Sequence, residues 1–237
     1  MRLDNLIIKN FRKLKDCTIN FRDATFLIGS NNAGKSSVFR ALQLLHQNIN
    51  PTSDDYSKCY NQERDDYIKE ETIEIIGEYH NIPDEAETWI GFKGRIIRNE
   101  HPLPGETNNK IVYRKVWSIT STKPEIYIME KNKNRSEKYL AAQTPAELEG
   151  DDFTVKFLTD HFGVDNLNTS LNTKANKEKA NELPQLWDVV ADSAATWVKN
   201  PGGIPGNIIS KLPKVIIIPA ESCMSELTSQ NGALLSL

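Results

Sequence analysis

Residues Gly29-Ser30-Asn31-Asn32-Ala33-Gly34-Lys35-Ser36 read G-x-x-x-x-G-K-S, and a chain carrying that octet in the right surroundings has few folds open to it. An apolar run, Ala24 to Ile28, leads in, and Val38, Leu42 and Leu45 follow at helical spacing, so a strand, a loop and a helix are expected in that order. Gly29 and Gly34 let the backbone turn tightly and approach a ligand. Main-chain N–H groups from Asn32 through Ala33 to Ser37 then converge on phosphate oxygens at the positive end of the helix. Lys35 is the expected catalytic cation, reaching the β- and γ-phosphates of ATP, and the Ser36 hydroxyl is the expected Mg²⁺ ligand. An accidental Gly-rich turn before an ordinary helix would leave the flanking pattern without a reason.

The 237 residues suffice for one large domain or two small ones with a sizeable core. Lys plus Arg number 29 against 32 Asp plus Glu, a net charge of −3, so no global basic field points to nucleic acid and any such contact needs a local patch. No apolar run approaches bilayer-spanning length, and Met1-Arg2-Leu3-Asp4 does not open a signal peptide. A cytoplasmic protein with no membrane partner is expected. Cys17, Cys59 and Cys223 are far apart and form no C-x-x-C pair; His46, His80, His101 and His161 show no ligand spacing. Structural roles are expected for all of them.

Two short strands precede the loop, Leu3 to Ile8 and Cys17 to Phe21, and this opening holds six cations (Arg2, Lys9, Arg12, Lys13, Lys15, Arg22) against Asp4 and Asp16. It makes a positive rim beside the phosphate loop. The succession Leu6-Ile7-Ile8-Lys9-Asn10-Phe11-Arg12, a strand, then Leu27 to Ser37, resembles the start of ABC-type ATPases of the RecF, SMC and OLD (overcoming lysogenisation defect) group. The resemblance covers about the first 45 residues. It implies that the N-F-R turn lies beside the nucleotide, so that Arg12 and Asn31 join the ATP-binding set. Arg12 could grip the phosphates or pair with a carboxylate.

Downstream, the helix should end near His46 or Gln47, and Pro51 to Arg64 reads as a polar loop. Asp54 to Glu87 carries twelve carboxylates against three cations, which fits a solvated acidic face better than a metal site. Four alternating segments, Thr72 to Tyr79, Trp89 to Arg98, Ile111 to Thr120 and Glu125 to Lys131, predict an antiparallel sheet wet on one side. Lys110, Arg114, Lys115, Lys123, Lys131, Lys133, Arg135 and Lys138 form a candidate nucleic-acid patch or a solvated strand face. Asp151-Asp152 should cap a helix over Phe153 to His161, Asp165 to Glu182 is a loop or weak helix, and Leu183 to Lys199 has helical spacing. Lys214 to Ile218 reads as a strand buried on both faces.

The expected fold is therefore α/β, a P-loop ABC-type ATPase lobe with an added antiparallel β-sheet and a helical segment. Residues 1–50 would form the P-loop core, 70–131 the antiparallel sheet, 144–200 a helical insertion and 213–237 a strand entering a Q-loop-like region. No Walker B pair, L-S-G-G-type signature or switch histidine is found, and Pro219-Ala220 stands where an Asp-Glu pair would be wanted; Glu221 or Ser222 is either a turn residue or a neighbour of the metal. An N-terminal part of a longer protein is expected, with the second ATPase half and any effector elsewhere. The resemblance implies an ATP-linked dimer or larger homo-oligomer acting on nucleic acid, DNA first, with a partner effector or sensor. In the OLD version it would gate a nuclease in anti-phage defence, an activity these residues do not encode; the alternative is a RecF- or SMC-like DNA-repair clamp without nuclease.

Overall fold

The computed structural model of the chain describes residues 1–190, 193–199 and 207–216. Strands β1 (Arg2–Phe11) and β2 (Leu14–Asn20) form a hairpin, and β1 pairs on its other side with β5 (Thr72–His80). Next come β7 (Asn109–Ser118), β8 (Glu125–Glu130) and β11 (Thr196–Lys199), all antiparallel, with the two-residue β6 (Ile97–Arg98) on β7. These strands make one seven-stranded sheet in the order β11-β8-β7-β5-β1-β2. The fold is mixed α/β, mostly antiparallel sheet with few helices.

Alternation decides which face is dry. Leu6, Ile8 and Phe11 of β1, Ile73, Ile75 and Tyr79 of β5, Ile111, Tyr113 and Trp117 of β7, and Ile128 of β8 are all buried. Helix α1 (Lys35–His46) lays Val38, Ala41, Leu42 and Leu45 into the same core, the stripe expected of a helix with one apolar face. The helix that follows the phosphate loop is thus clamped to the sheet along its length. A second, smaller core gathers Tyr139, Leu148, Phe153, Leu158, Phe162, Leu171 and Leu186 around the short helices α2 (Glu137–Ala141), α3 (Val155–Phe162) and α4 (Lys174–Ala180).

Several local expectations change. Ala24 to Ile28 forms no strand, and Phe26 and Ile28 are 83% and 94% exposed: a strand needs a neighbour to take its N–H and C=O groups, and none of the described residues pairs with it. Pro51 to Arg64 is not all loop, because Lys58–Asn61 (β3) pairs with Asp66–Lys69 (β4) as a separate hairpin. Only the end of Trp89 to Arg98 is strand; Gly91 and Gly94 take positive φ (81° and 78°) and turn the chain. Thr154, not Asp151 or Asp152, caps α3, its hydroxyl accepting from Phe157 N, while Asp152 pairs with Lys138. Leu183 to Lys199 is not a helix: after a 3-10 turn at Pro184–Leu186, Trp187–Val189 (β10) pairs with Lys133–Arg135 (β9), and β11 takes the open edge of β8. Free sheet edges outcompete a segment whose Trp and Val residues suit strands. Lys214 to Ile216 is irregular, and the rest of that segment, with Pro219, Ala220, Glu221, Ser222 and the breaker at Pro201 to Gly206, lies outside the described residues.

Four cations of the candidate sheet patch are already engaged within the chain. Arg114 sits on the wet face between Tyr127 and Trp197 and pairs with Glu74, Lys133 pairs with Glu130, and Lys138 pairs with Asp152. Lys115 points the other way, into the core. Its Nζ donates to the carbonyls of Leu44 (3.0 Å) and Gln47 (2.9 Å) at the C-terminal end of α1. Burial lowers its pKa from the ordinary 10.5 to about 8. Between those values the unfolded chain holds a proton the folded one has released, so this residue's contribution to stability rises with pH across about pH 8 to 10.5. The stability of the native protein minus that of Lys115→Met should climb over that window by up to about 3 kcal/mol in urea unfolding; a flat difference would contradict the assignment.

Candidate functional site

At the N-terminal end of α1 the loop is held open from within. Lys35 Nζ donates to the carbonyls of Gly29 (2.7 Å) and Ser30 (2.8 Å), and Ala33 N donates to Ser30 O (3.2 Å), which closes the loop's turn. Gly34 precedes the helix at φ 102°, a conformation that favours glycine, and a Cβ there would meet Leu14 Cδ2 at 3.1 Å. Ser37 N and Val38 N bond back to Gly34 O, whereas the amides of Asn31, Asn32, Gly34, Lys35 and Ser36 meet no acceptor among the described residues. Gly34, at the N-cap, has no side chain to cap the helix. The result is a set of free N–H donors at the positive end of a helix, beside an ammonium group, which is the donor set a polyphosphate requires.

The opposite wall comes from the β1–β2 turn. Asn10 and Arg12 both take left-handed backbone (φ 57° and 51°), and this bent path swings Arg12 towards the loop. Its Nε donates to Asp55 Oδ1 at 2.7 Å, its N–H donates to Asp55 O, and Ser57 Oγ donates to Arg12 O. Asp55 is 2% exposed and also accepts from Thr52 N and Oγ1, so it is itself fixed. With Nε committed, the two Nη groups of Arg12 meet no acceptor among the described residues. Asp55 thus orients the guanidinium: the structure shows Arg12 paired with a carboxylate while its side chain lines the cavity beside the loop.

Between the walls lies a cavity of about 1090 Å³ lined by Arg12, Asn31, Asn32, Gly34, Lys35, Ser36 and Ser37. Gly29 and Ala33 do not line it; they shape the loop behind it. Seven further groups line it: Lys13 and Lys15, which the sequence puts in the positive rim beside the loop, and Thr52, Asp54, Asp55, Tyr56 and Lys58 from the segment after α1, which sequence reasoning did not place at the site. The cluster of cations before Gly29 signalled the first two; nothing local signalled Asp55, whose partner is 43 residues away. Ser36 is exposed and free to ligate a metal carried by a nucleotide, and no group of three or more His, Cys, Asp or Glu able to hold a metal occurs among the described residues. His46, at the far end of α1, is neutral in character, its pKa lowered by burial, with Nδ1 on Leu42 O and Nε2 on the Tyr79 hydroxyl.

A phosphate-binding loop closed by Lys35 and opening a sheet-packed helix defines a P-loop nucleotide-binding domain. The sequence model of the AAA ATPase domain family matches residues 1–220, and the chain belongs to that family. No curated protein matches it. The domain is an ATP-hydrolysing module of the AAA type. No helix among the described residues is long and apolar enough to cross a membrane.

Arg12→Ala should weaken ATP about tenfold or more, the weight of a charged hydrogen bond, and should also cost about 1–2 kcal/mol of stability by leaving Asp55 without its cation. A fluorescent ATP analogue titrated into samples that are then melted reads both quantities. Unchanged affinity with a lowered melting temperature would reduce Arg12 to a structural ion pair.

Proposed function

We propose that this ATPase domain belongs to an OLD-like, nucleic-acid-directed protein. Mg²⁺-ATP, held by Gly29 to Ser37 and Arg12, joins two copies of the chain and gates an effector in defence against phage. The sequence resemblance over the first 45 or so residues supports the OLD and defence part of this reading. The observation that carries the nucleic-acid part is the charge at the cavity mouth. Arg12, Lys13, Lys15, Lys35 and Lys58 surround one cavity, and only Asp54 and Asp55 offset them. Arg12 and Lys35 suffice for the phosphates of a nucleotide, which leaves Lys13, Lys15 and Lys58 for a second polyanion such as a DNA backbone. Ser36 would hold the metal, and the metal would neutralise charge as it develops on the phosphates.

Analytical ultracentrifugation with Mg²⁺-ATP and a DNA duplex, at two salt concentrations, tests the reading. Dimers with ATP, and DNA binding that weakens with salt and weakens further in the Lys13→Ala/Lys15→Ala variant, are expected. A chain that stays monomeric with ATP and ignores DNA would sink the proposal. Metal-dependent nicking by the protein with its effector would separate the OLD reading from a RecF- or SMC-like clamp, which should leave DNA intact.

A further inference from the structure

The hairpin β3–β4 stands where the segment after α1 leaves the cavity. Lys58, at its root, lines the cavity. Side chains two apart on a strand share a face, and directly paired residues share it too. Lys58 pairs with Lys69 and Tyr60 pairs with Tyr67, so all four side chains lie on one face of the hairpin, the face that Lys58 turns to the cavity. The other face carries Cys59 and Ile68, which are partly buried. Lys69 fastens this arrangement, its Nζ donating to Ser53 O (2.8 Å) and Ser53 Oγ (2.6 Å) in the segment that also carries Asp54 and Asp55.

Tyr60, two residues beyond Lys58, and its cross-strand partner Tyr67 stand 50% and 65% exposed. Their rings meet edge to face at 5.5 Å and 62°, and the Tyr60 hydroxyl is tied to Asp65. A strand advances about 7 Å in two residues, so the pair lies one step along the hairpin from Lys58, just beyond the residues that line the cavity. Two large aromatic surfaces held rigid yet left open to water, next to a polyphosphate cradle, have the form of a stacking platform.

We infer that Tyr60 and Tyr67 are the platform on which the base of the bound nucleoside triphosphate stacks. The inference rests on the P-loop assignment of the preceding subsections. With its phosphates on the amides of residues 31–36, the ligand's other end would run along the cavity, whose wall includes Lys58 at the root of the hairpin. Stacking tolerates any base, so the platform contributes affinity for the nucleoside without by itself choosing adenine over guanine. The rival position for the base is the groove of about 340 Å³ on the far side of Lys35, where Phe26, Val38 and Phe39 are exposed or line the wall.

The test compares Mg²⁺-ATP with Mg²⁺-tripolyphosphate, which has phosphates and no base, on the native chain, on Tyr60→Ala/Tyr67→Ala, on Tyr60→Phe/Tyr67→Phe and on Phe39→Ala. The alanine pair should weaken ATP about tenfold or more and leave tripolyphosphate unchanged, and the phenylalanine pair should restore ATP. A 2-aminopurine triphosphate should be quenched on the native chain and on the phenylalanine pair only. Equal loss of ATP and tripolyphosphate in the alanine pair, or no loss of either, would overturn the platform while leaving the P-loop intact. A loss of ATP confined to Phe39→Ala would move the base to the other groove. Loss of single-stranded DNA binding alone would make the tyrosines a strand-binding surface instead. Native protein that binds neither ligand would overturn the P-loop assignment and the platform together.

Discussion

Lys35→Ala is expected to lower ATP hydrolysis by at least about a hundredfold, because it removes the loop's own cation, the group expected to follow charge onto the transferring phosphoryl group. The fold should survive. Lys35 Nζ bridges the carbonyls of Gly29 and Ser30 at an exposed site, so its loss should cost about 1 kcal/mol. The helix itself is anchored elsewhere, through Val38, Leu42 and Leu45 on the sheet. Steady-state phosphate release and circular-dichroism melting on the same preparation measure both effects. Undiminished turnover in this variant would remove Lys35 from the reaction.

Gly77→Val should act the opposite way, on structure first and on ATP as a consequence. Gly77 lies on β5 between Leu6 of β1 and Tyr113 of β7, under the last turn of α1. A Cβ added there would sit 2.8 Å from Leu45 Cδ2 and 2.9 Å from the ring and hydroxyl of Tyr79, closer than packed atoms allow. Either α1 lifts from the sheet or Tyr79 swings away and gives up its bond to His46 (2.8 Å). The expected loss is about 2–3 kcal/mol in urea unfolding, with weaker ATP binding as the helix that presents residues 34–37 shifts. A stability change below about 0.5 kcal/mol would mean that the helix does not rest on this glycine.

Gly77 also shows where sequence reading stops. The P-loop is legible because Gly29, Gly34, Lys35 and Ser36 are consecutive and their spacing alone carries the chemistry. The strands β1, β2, β5, β7 and β8 are legible for a related reason, since each alternates over enough residues to fix its period. Asp55 is not legible: it reads as one more carboxylate in an acidic run, and only the folded chain sets it against Arg12. The hairpin bearing Tyr60 and Tyr67 was hidden by its four-residue strands, too short for a period to stand out among Asn61, Glu63, Arg64 and Asp65. In 183–199 the spacing of Leu186, Val189, Val190 and Trp197 satisfied a helical pattern while the open edges of β8 and β9 offered hydrogen bonds that no local pattern records. The exposed run Phe26 to Ile28 belongs to the same class, an element whose form depends on which residues pair with it.

Amide hydrogen exchange of the purified chain with and without Mg²⁺-ATP tests the central claim most directly, because it reports where the nucleotide sits as well as whether it binds. The unpaired donors of the loop, the amides of Asn31, Asn32, Gly34, Lys35 and Ser36, should become strongly protected, with lesser protection around Arg12 and Asp55 and none in the distant α3 and α4. Saturating ATP that leaves residues 31–36 exchanging as fast as before, or that protects some other region in their place, would contradict a nucleotide site on this loop.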